Sequence, residues 1–251
     1  MQTSETDPFW AASQQAWHLI TGMAGADSTQ LWATVSLSLK IACTSSLLAC
    51  LIGLPLGTWL AVHRFYGRGL LVACLNATLG LPAVIVGLIA YVLLSRSGPL
   101  GPLGLLFTPS AMVFAQTLLI APMVAALSRS PIESAWEQYH ELFRSIGLNG
   151  IKRIRTLLWD CRVVLLTVVL TALGRALSEV GAVMTVGGNI AGHTRVMTTA
   201  IALETTKGDL PQALALGIIL MGLVFTLMLL AQWLSNGSAR ISQSAIEGRQ
   251  R

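Results

Sequence analysis

Gln212-Ala-Leu-Ala-Leu-Gly-Ile-Ile-Leu-Met-Gly-Leu-Val-Phe-Thr-Leu-Met-Leu-Leu-Ala-Gln-Trp-Leu234 runs for 23 residues without a charge. Wound as an α-helix at about 1.5 Å per residue, it reaches about 34 Å, enough to cross a hydrocarbon core of about 30 Å. It has to be helical, because an isolated strand leaves its backbone groups unsatisfied in lipid. Four further apolar runs precede it, at about 33–61, 70–94, 110–128 and 163–187. Together they predict an all-α, polytopic membrane helix bundle of about five spans.

Composition agrees. Of 251 residues, 54% are hydrophobic and 11% charged, against about 25% charged in a soluble domain. In a soluble protein the net charge of +5 would point to nucleic acid, but here most basic residues sit in short loops, where membrane topology explains them. No nucleic-acid partner is expected. With the N-terminus outside, 11 of the 16 Lys and Arg fall in cytoplasmic segments, around Arg64 and Arg68, from Arg129 to Arg162, and from Arg240 to Arg251. Only Arg96, Arg195 and Lys207 fall outside, while Lys40 and Arg175 lie within spans. That bias predicts a multi-pass plasma-membrane protein with its C-terminus cytoplasmic.

The early residues carry no basic region or cleavage site, so no cleaved leader is expected. Instead Asp7-Pro8 forms a helix start, and the apolar and polar residues of 8–23 separate onto two faces. An amphipathic helix within 1–30 is expected in the outer interface, anchored by Trp10 and Trp17. The membrane domain would follow at 31–235, with a cytoplasmic loop at about 129–161, and a cytoplasmic tail at 236–251. Pro55, Pro82 and Pro122 predict kinks in the first three spans. Cys43, Cys50, Cys74 and Cys161 form no Cys-x-x-Cys pair, so neither a disulfide framework nor a metal site is expected.

Charge inside a span is costly and marks candidate sites. Arg175 and Glu179 stand one turn apart in the fourth run. Two readings fit: an i,i+4 pair in which the charges neutralise each other, which is preferred, or a contact between Arg175 and a passing anion. Gly174, Ser178 and Gly181 add a small-residue stripe suited to close helix contact. Beyond the span, Gly187, Gly188, Asn189, Thr194, Arg195, Thr198 and Thr199 collect at the outer mouth. Glycine amides, hydroxyls and a guanidinium are donors suited to an oxyanion, although helix-end loops use the same residues for turns.

In the longest cytoplasmic loop, the segment 136–147 predicts a short helix with Leu142, Phe143 and Ile146 on one side and Gly147 as its C-cap. Such a helix can pack on its own bundle or enter a partner's groove. Glu141, with Gly147 six residues on and a basic helix after it, resembles the coupling motif of ABC importer permeases, Glu-Ala-Ala, three residues, Gly, nine residues, Ile-x-Leu-Pro. Leu142 and Phe143 replace the alanines, Leu157 stands for Ile, and Trp159-Asp160 replace Leu-Pro.

Three other stretches are more specific: Gly174-Arg-Ala-Leu-Ser-Glu-Val-Gly-Ala182, Val186-Gly-Gly-Asn-Ile190, and Thr194-Arg-Val-Met-Thr-Thr-Ala-Ile-Ala-Leu-Glu-Thr-Thr-Lys-Gly-Asp209. With Ser95–Gly101, Phe107-Thr-Pro109 and Ala115-Gln116, they resemble the permease subunit of tungstate-type ABC importers over nearly the whole chain up to about 234. The resemblance implies the MetI-like permease fold, a homodimer, a separate ATP-binding subunit on the cytoplasmic face and an extracytoplasmic oxyanion-binding protein. It implies transport of a tetrahedral oxyanion, tungstate first, with molybdate or another oxyanion as the alternative.

The residues alone fit a non-catalytic subunit without a cofactor. No Gly-x-x-x-x-Gly-Lys-Ser/Thr phosphate loop occurs, so energy must come from another chain. No His-Glu-x-x-His or Gly-x-Ser-x-Gly occurs either, and no span carries a His, which argues against an intramembrane enzyme. A passive channel remains a reading of the spans by themselves.

Overall fold

A computed structural model of the chain describes residues 10, 13, 14, 16, 18, 28–148 and 150–247. From Ser28 onward the described residues form nine α-helices and two short 3-10 turns, with no strand among them. The expected N-terminal amphipathic helix lies mostly outside the described residues. Trp10, Ser13, Gln14, Ala16 and His18 are helical, with the Ser13 hydroxyl donating to the Trp10 carbonyl at 2.9 Å.

Among the described residues, three helices are long and apolar enough to cross a membrane: α1 (Ser28–Val62), α4 (Pro109–Ser145) and α9 (Leu210–Glu247). Two bent pairs bring the number to five if each is one span. The second run, expected as one kinked helix, divides into α2 (Arg68–Ala77) and α3 (Ala83–Leu94), related by 104°. Pro82 causes the break. A residue before proline is driven to extended angles, and Leu81 has φ −66° and ψ 130°. Pro55 and Pro122, by contrast, lie inside unbroken helices. Neighbouring helices in a bundle supply the setting in which freed carbonyls are tolerated.

The core is built from small residues, as membrane packing favours. α1 and α4 make the most extensive helix contact in the fold. At their crossing a Cβ on Gly53 would lie 2.6 Å from the Ala121 carbonyl oxygen, and one on Gly57 2.7 Å from the Ala125 carbonyl oxygen. Glycine here permits the approach of two backbones. Ala42, Ala49, Ala121, Val124, Ala172 and Ala176 continue this cluster onto the sixth helix, α6 (Arg162–Leu177). A second cluster joins α3 and α4 to a short helix, α7 (Gly181–Gly187), where a Cβ on Gly87 would lie 2.6 Å from the Ala182 Cα.

Two boundaries differ from expectation. The third run and the predicted short helix of 136–147 are one helix, α4, which continues through Pro131 to Ser145. Its C-terminal half is held laterally. Glu133 bridges Arg129 on its own helix and Arg68 at the start of α2, while Arg68 also donates to the Leu60 carbonyl at 2.8 Å. Phe143 packs into a third cluster with Ala61, Ile132, Leu157 and Leu165, which ties α4 to α1, to α6 and to α5 (Gly150–Asp160). The fourth run, expected as one span over 163–187, ends as α6 at Leu177 and resumes as α7 at Gly181, with α5 meeting α6 at 75°. α8 (Met197–Lys207) then packs on α9.

Candidate functional site

The break between α6 and α7 puts Glu179 at a junction. Its carboxylate is 2% exposed, with Oε2 3.4 Å from Arg175 Nη1 and Oε1 accepting the Ala182 amide at 3.1 Å. Glu179 therefore supports the first turn of α7 while pairing with the last turn of α6. Its backbone carbonyl accepts the Thr198 hydroxyl at 2.9 Å, which ties α8 to the same point. The Arg175 side chain is 38% exposed, so the pair is lopsided, with a fixed anion and a guanidinium that reaches the surface.

Residues that sequence reasoning passed over complete the junction. Gln116 of α4 is 3% exposed, donates to the Ala176 carbonyl at 3.0 Å and accepts the Ser45 hydroxyl at 2.7 Å. Ser38 of α1 accepts the Met197 amide, the first of α8, at 2.9 Å. Thus α1, α4, α6, α7 and α8 meet at buried polar contacts beside the α6–α7 break. The signal for Gln116 was available: it is a lone amide in the uncharged run 110–128, and a polar side chain there must face protein or water.

Gly174 and Gly181 of the predicted stripe do sit at close contacts, but with different neighbours. A Cβ on Gly174 would meet the end of Met228 at 2.5 Å, and one on Gly181 would meet Val84 Cγ2 at 2.7 Å. Ser178 instead donates to the Gly174 carbonyl at 3.0 Å.

In the loop between α7 and α8, and at the start of α8, the hydroxyls turn inward. Thr194 is fully buried; it donates to the Gly187 carbonyl at 2.6 Å and accepts the Ile190 amide at 3.0 Å. Thr199 accepts the Val196 amide at 3.1 Å. Buried hydroxyls are hydrogen-bonded almost without exception, and these hold the turn rather than face an opening. Gly188 and Asn189 take left-handed angles, φ 69° and 52°, which reverse the chain after α7. The Asn189 amide donates to the Thr199 carbonyl at 3.3 Å. Of the predicted mouth residues, Arg195 lines an open cavity of about 440 Å3 between this loop and the N-terminal part of α1.

The coupling candidates divide. Phe143 is buried against Trp136 and Tyr139, whereas Glu141, Leu142, Ile146 and Gly147 are exposed. The three apolar residues expected on one side therefore separate, because Phe143 serves the core of its own chain. Gly147 has φ 67°, and the Leu148 amide returns to the Phe143 carbonyl at 3.1 Å, a Schellman-type helix end. A Cβ on Gly147 would meet nothing within 4 Å.

The sequence profile described as "Binding-protein-dependent transport system inner membrane component" matches residues 53–240. The chain belongs to this family. Its relatives include the tungstate uptake system permease protein TupB of Peptoclostridium acidaminophilum, 37% identical over 198 residues, covering 79% of this chain and 87% of the relative. TupB of Campylobacter jejuni is 43% identical over 152 residues, 61% of this chain and 64% of the relative. The molybdenum transport system permease protein ModB of Escherichia coli K12 is 32% identical over 226 residues, 84% and 95% of the two chains. The chain is thus a multi-pass inner-membrane permease with the MetI-like fold. In this permease the polar junction at Glu179 and the exposed end of α4 both lie within the matched region.

Proposed function

We propose that this permease is the membrane-spanning subunit of an ATP-driven importer that passes tungstate across the plasma membrane. The observation that carries this reading is the 37% identity, over 79% of the chain, to a tungstate uptake permease. The molybdate alternative rests on the weaker but longer match to a molybdenum permease. Selection between these tetrahedral dianions belongs to an extracytoplasmic binding protein, which delivers the ion to the outer mouth.

ATP is hydrolysed by a separate subunit on the cytoplasmic face. The end of α4, with Glu141, Leu142, Ile146 and Gly147, inserts into a groove of that subunit, and Phe143 anchors the end to the bundle. Exposed apolar side chains beside a helix end, fixed from behind by a buried aromatic, suit helix-in-groove docking. The permease works as a homodimer with the pathway on its two-fold axis, since five spans are few to enclose a hydrated pathway. Ile218, Met221, Phe225 and Leu229 form an exposed apolar stripe on α9, available to lipid or to a second copy. Arg175 and Glu179 form an interior pair that sets the α6–α7 junction. The N-terminus is external, residues 1–30 form the interfacial segment, 31–235 the transport domain and 236–251 the cytoplasmic tail.

The test is transport itself. Cells that lack the permease should lose high-affinity tungstate accumulation and regain it with the wild-type chain. Unchanged tungstate uptake with loss of molybdate uptake would transfer the assignment to molybdate.

A further inference from the structure

The cavity at the outer end of α1 has a composition that neither the family nor its relatives' names assign. Its lining includes Lys40 and Ser36 from α1, and Gly192, His193 and Arg195 from the loop between α7 and α8. Among the described residues no carboxylate lines it, and neither Lys40 nor Arg195 forms an ion pair. Arg195 is held by one long bond, Nη2 to the Asn189 carbonyl at 3.4 Å, and its Nε is buried without an acceptor. A buried donor left unsatisfied is unfavourable, and charge-assisted donors prefer an anionic acceptor.

Height along the membrane agrees. Lys40 lies about 33 Å along α1 from Val62, at about 1.5 Å per residue. With Val62 at the inner boundary, Lys40 reaches the outer edge of a hydrocarbon core of about 30 Å. An ammonium there must face water or protein, and the cavity supplies both. A second concavity, of about 360 Å3, opens on the other side of Lys40 and is lined by Thr44, Ser110 and apolar residues. Lys40 therefore borders two open concavities.

We infer that Lys40, Arg195 and His193 form a receiving site for a tetrahedral oxyanion at the outer mouth of the permease. This rests on the importer reading above and deepens it. The cavity is much larger than a bare oxyanion, so the ion is received with part of its water, and two cations with an imidazole set charge and place. Affinity is correspondingly modest, which suits a site that must release its ion inward. A lipid phosphate shares the tetrahedral chemistry and is the competing source.

The experiment uses the purified complex of permease and ATP-binding subunit in phosphatidylcholine nanodiscs, with tungstate as probe. Bound tungsten is measured by mass spectrometry after equilibrium dialysis. Saturable binding of one ion per permease chain is expected, at least about tenfold weaker in Lys40→Gln and in Arg195→Gln and restored in Lys40→Arg. Each variant is first shown to elute as the intact complex. Competition by sulfate on the wild-type complex gives a second reading that needs no variant. Absence of saturable binding, or wild-type binding in both Gln variants, overturns the inference. So does loss of tungstate binding when phosphatidylglycerol is added to the nanodiscs, since a lipid phosphate then owns the site. If molybdate or sulfate binds in a Lys40-dependent way and tungstate does not, the site stands and the cargo reading falls. If tungstate is imported normally while the Gln variants bind it normally, the cargo reading stands and the site falls.

Discussion

Glu179 and Arg175 lie 3.4 Å apart, yet the carboxylate is 2% exposed and the guanidinium 38%. The asymmetry gives the two residues different duties. Glu179 also accepts the Ala182 amide, so its removal uncouples α7 from α6 as well as breaking the pair. Glu179→Ala leaves a guanidinium that water can reach but orphans the Ala182 amide, and should destabilise the detergent-solubilised permease by about 1–3 kcal/mol. Glu179→Gln keeps an oxygen for the Ala182 amide and should be milder. Arg175→Ala leaves the Glu179 carboxylate, 2% exposed, without its counter-charge, and should cost more, about 3 kcal/mol. Thermal unfolding followed by size-exclusion recovery orders the variants. Normal assembly of Arg175→Ala with transport abolished, and Glu179→Ala without effect, would make Arg175 a direct anion contact instead.

The α1–α4 crossing makes a sharper stability prediction. Gly53→Val should destabilise by about 1–3 kcal/mol, because the added atoms meet the Ala121 carbonyl and Val124. Gly69→Ala, where a Cβ meets nothing within 4 Å, should be neutral to slightly stabilising, by up to about 1 kcal/mol. The same unfolding assay compares them. Equal effects at both glycines would mean that the crossing does not hold the bundle.

At Gly147 the free space around the Cβ position separates backbone from contact effects. Asn tolerates left-handed angles, whereas most side chains there cost about 1 kcal/mol. A Cβ on Gly147 meets nothing within 4 Å, which leaves room for the first atom of an Asn or Asp side chain. Loss of the ATP-binding subunit on co-purification of both variants therefore reports on the partner's groove. Full co-purification and uptake with Gly147→Asp would move the coupling contact elsewhere in the loop.

Spans were legible because hydropathy over 20 residues integrates a strong physical signal. Gln212–Leu234 sits wholly inside α9, and the i,i+4 spacing of Arg175 and Glu179 forecast their pairing. What local pattern could not supply was partner choice. Pro55 and Pro122 were read like Pro82, but only Pro82 follows an extended residue at which the chain turns by 104°. Thr194, Thr198 and Thr199 were read as anion donors by residue type, and the fold bonds them to its own backbone. Lys40 and His193 are 153 positions apart in the sequence, so only the tertiary structure brings them to one cavity.

Orientation has its own test. In a background lacking Cys43, Cys50, Cys74 and Cys161, an impermeant thiol reagent should label Ser28→Cys in intact cells. Ser130→Cys and Ser238→Cys should be labelled after permeabilisation alone, following the bias of basic residues. Labelling of Ser130→Cys in intact cells would reverse the topology.

The most direct measurement is accumulation by the reconstituted transporter. Permease, ATP-binding subunit and cognate binding protein are placed in vesicles with the ATP-binding face accessible to supplied ATP, and translocated tungsten is counted. Accumulation of tungstate that requires both ATP and the binding protein, in preference to sulfate, is the predicted result. Tungstate flux that runs equally without ATP, or no tungstate flux from a complex that hydrolyses ATP with its binding protein loaded, would contradict the account.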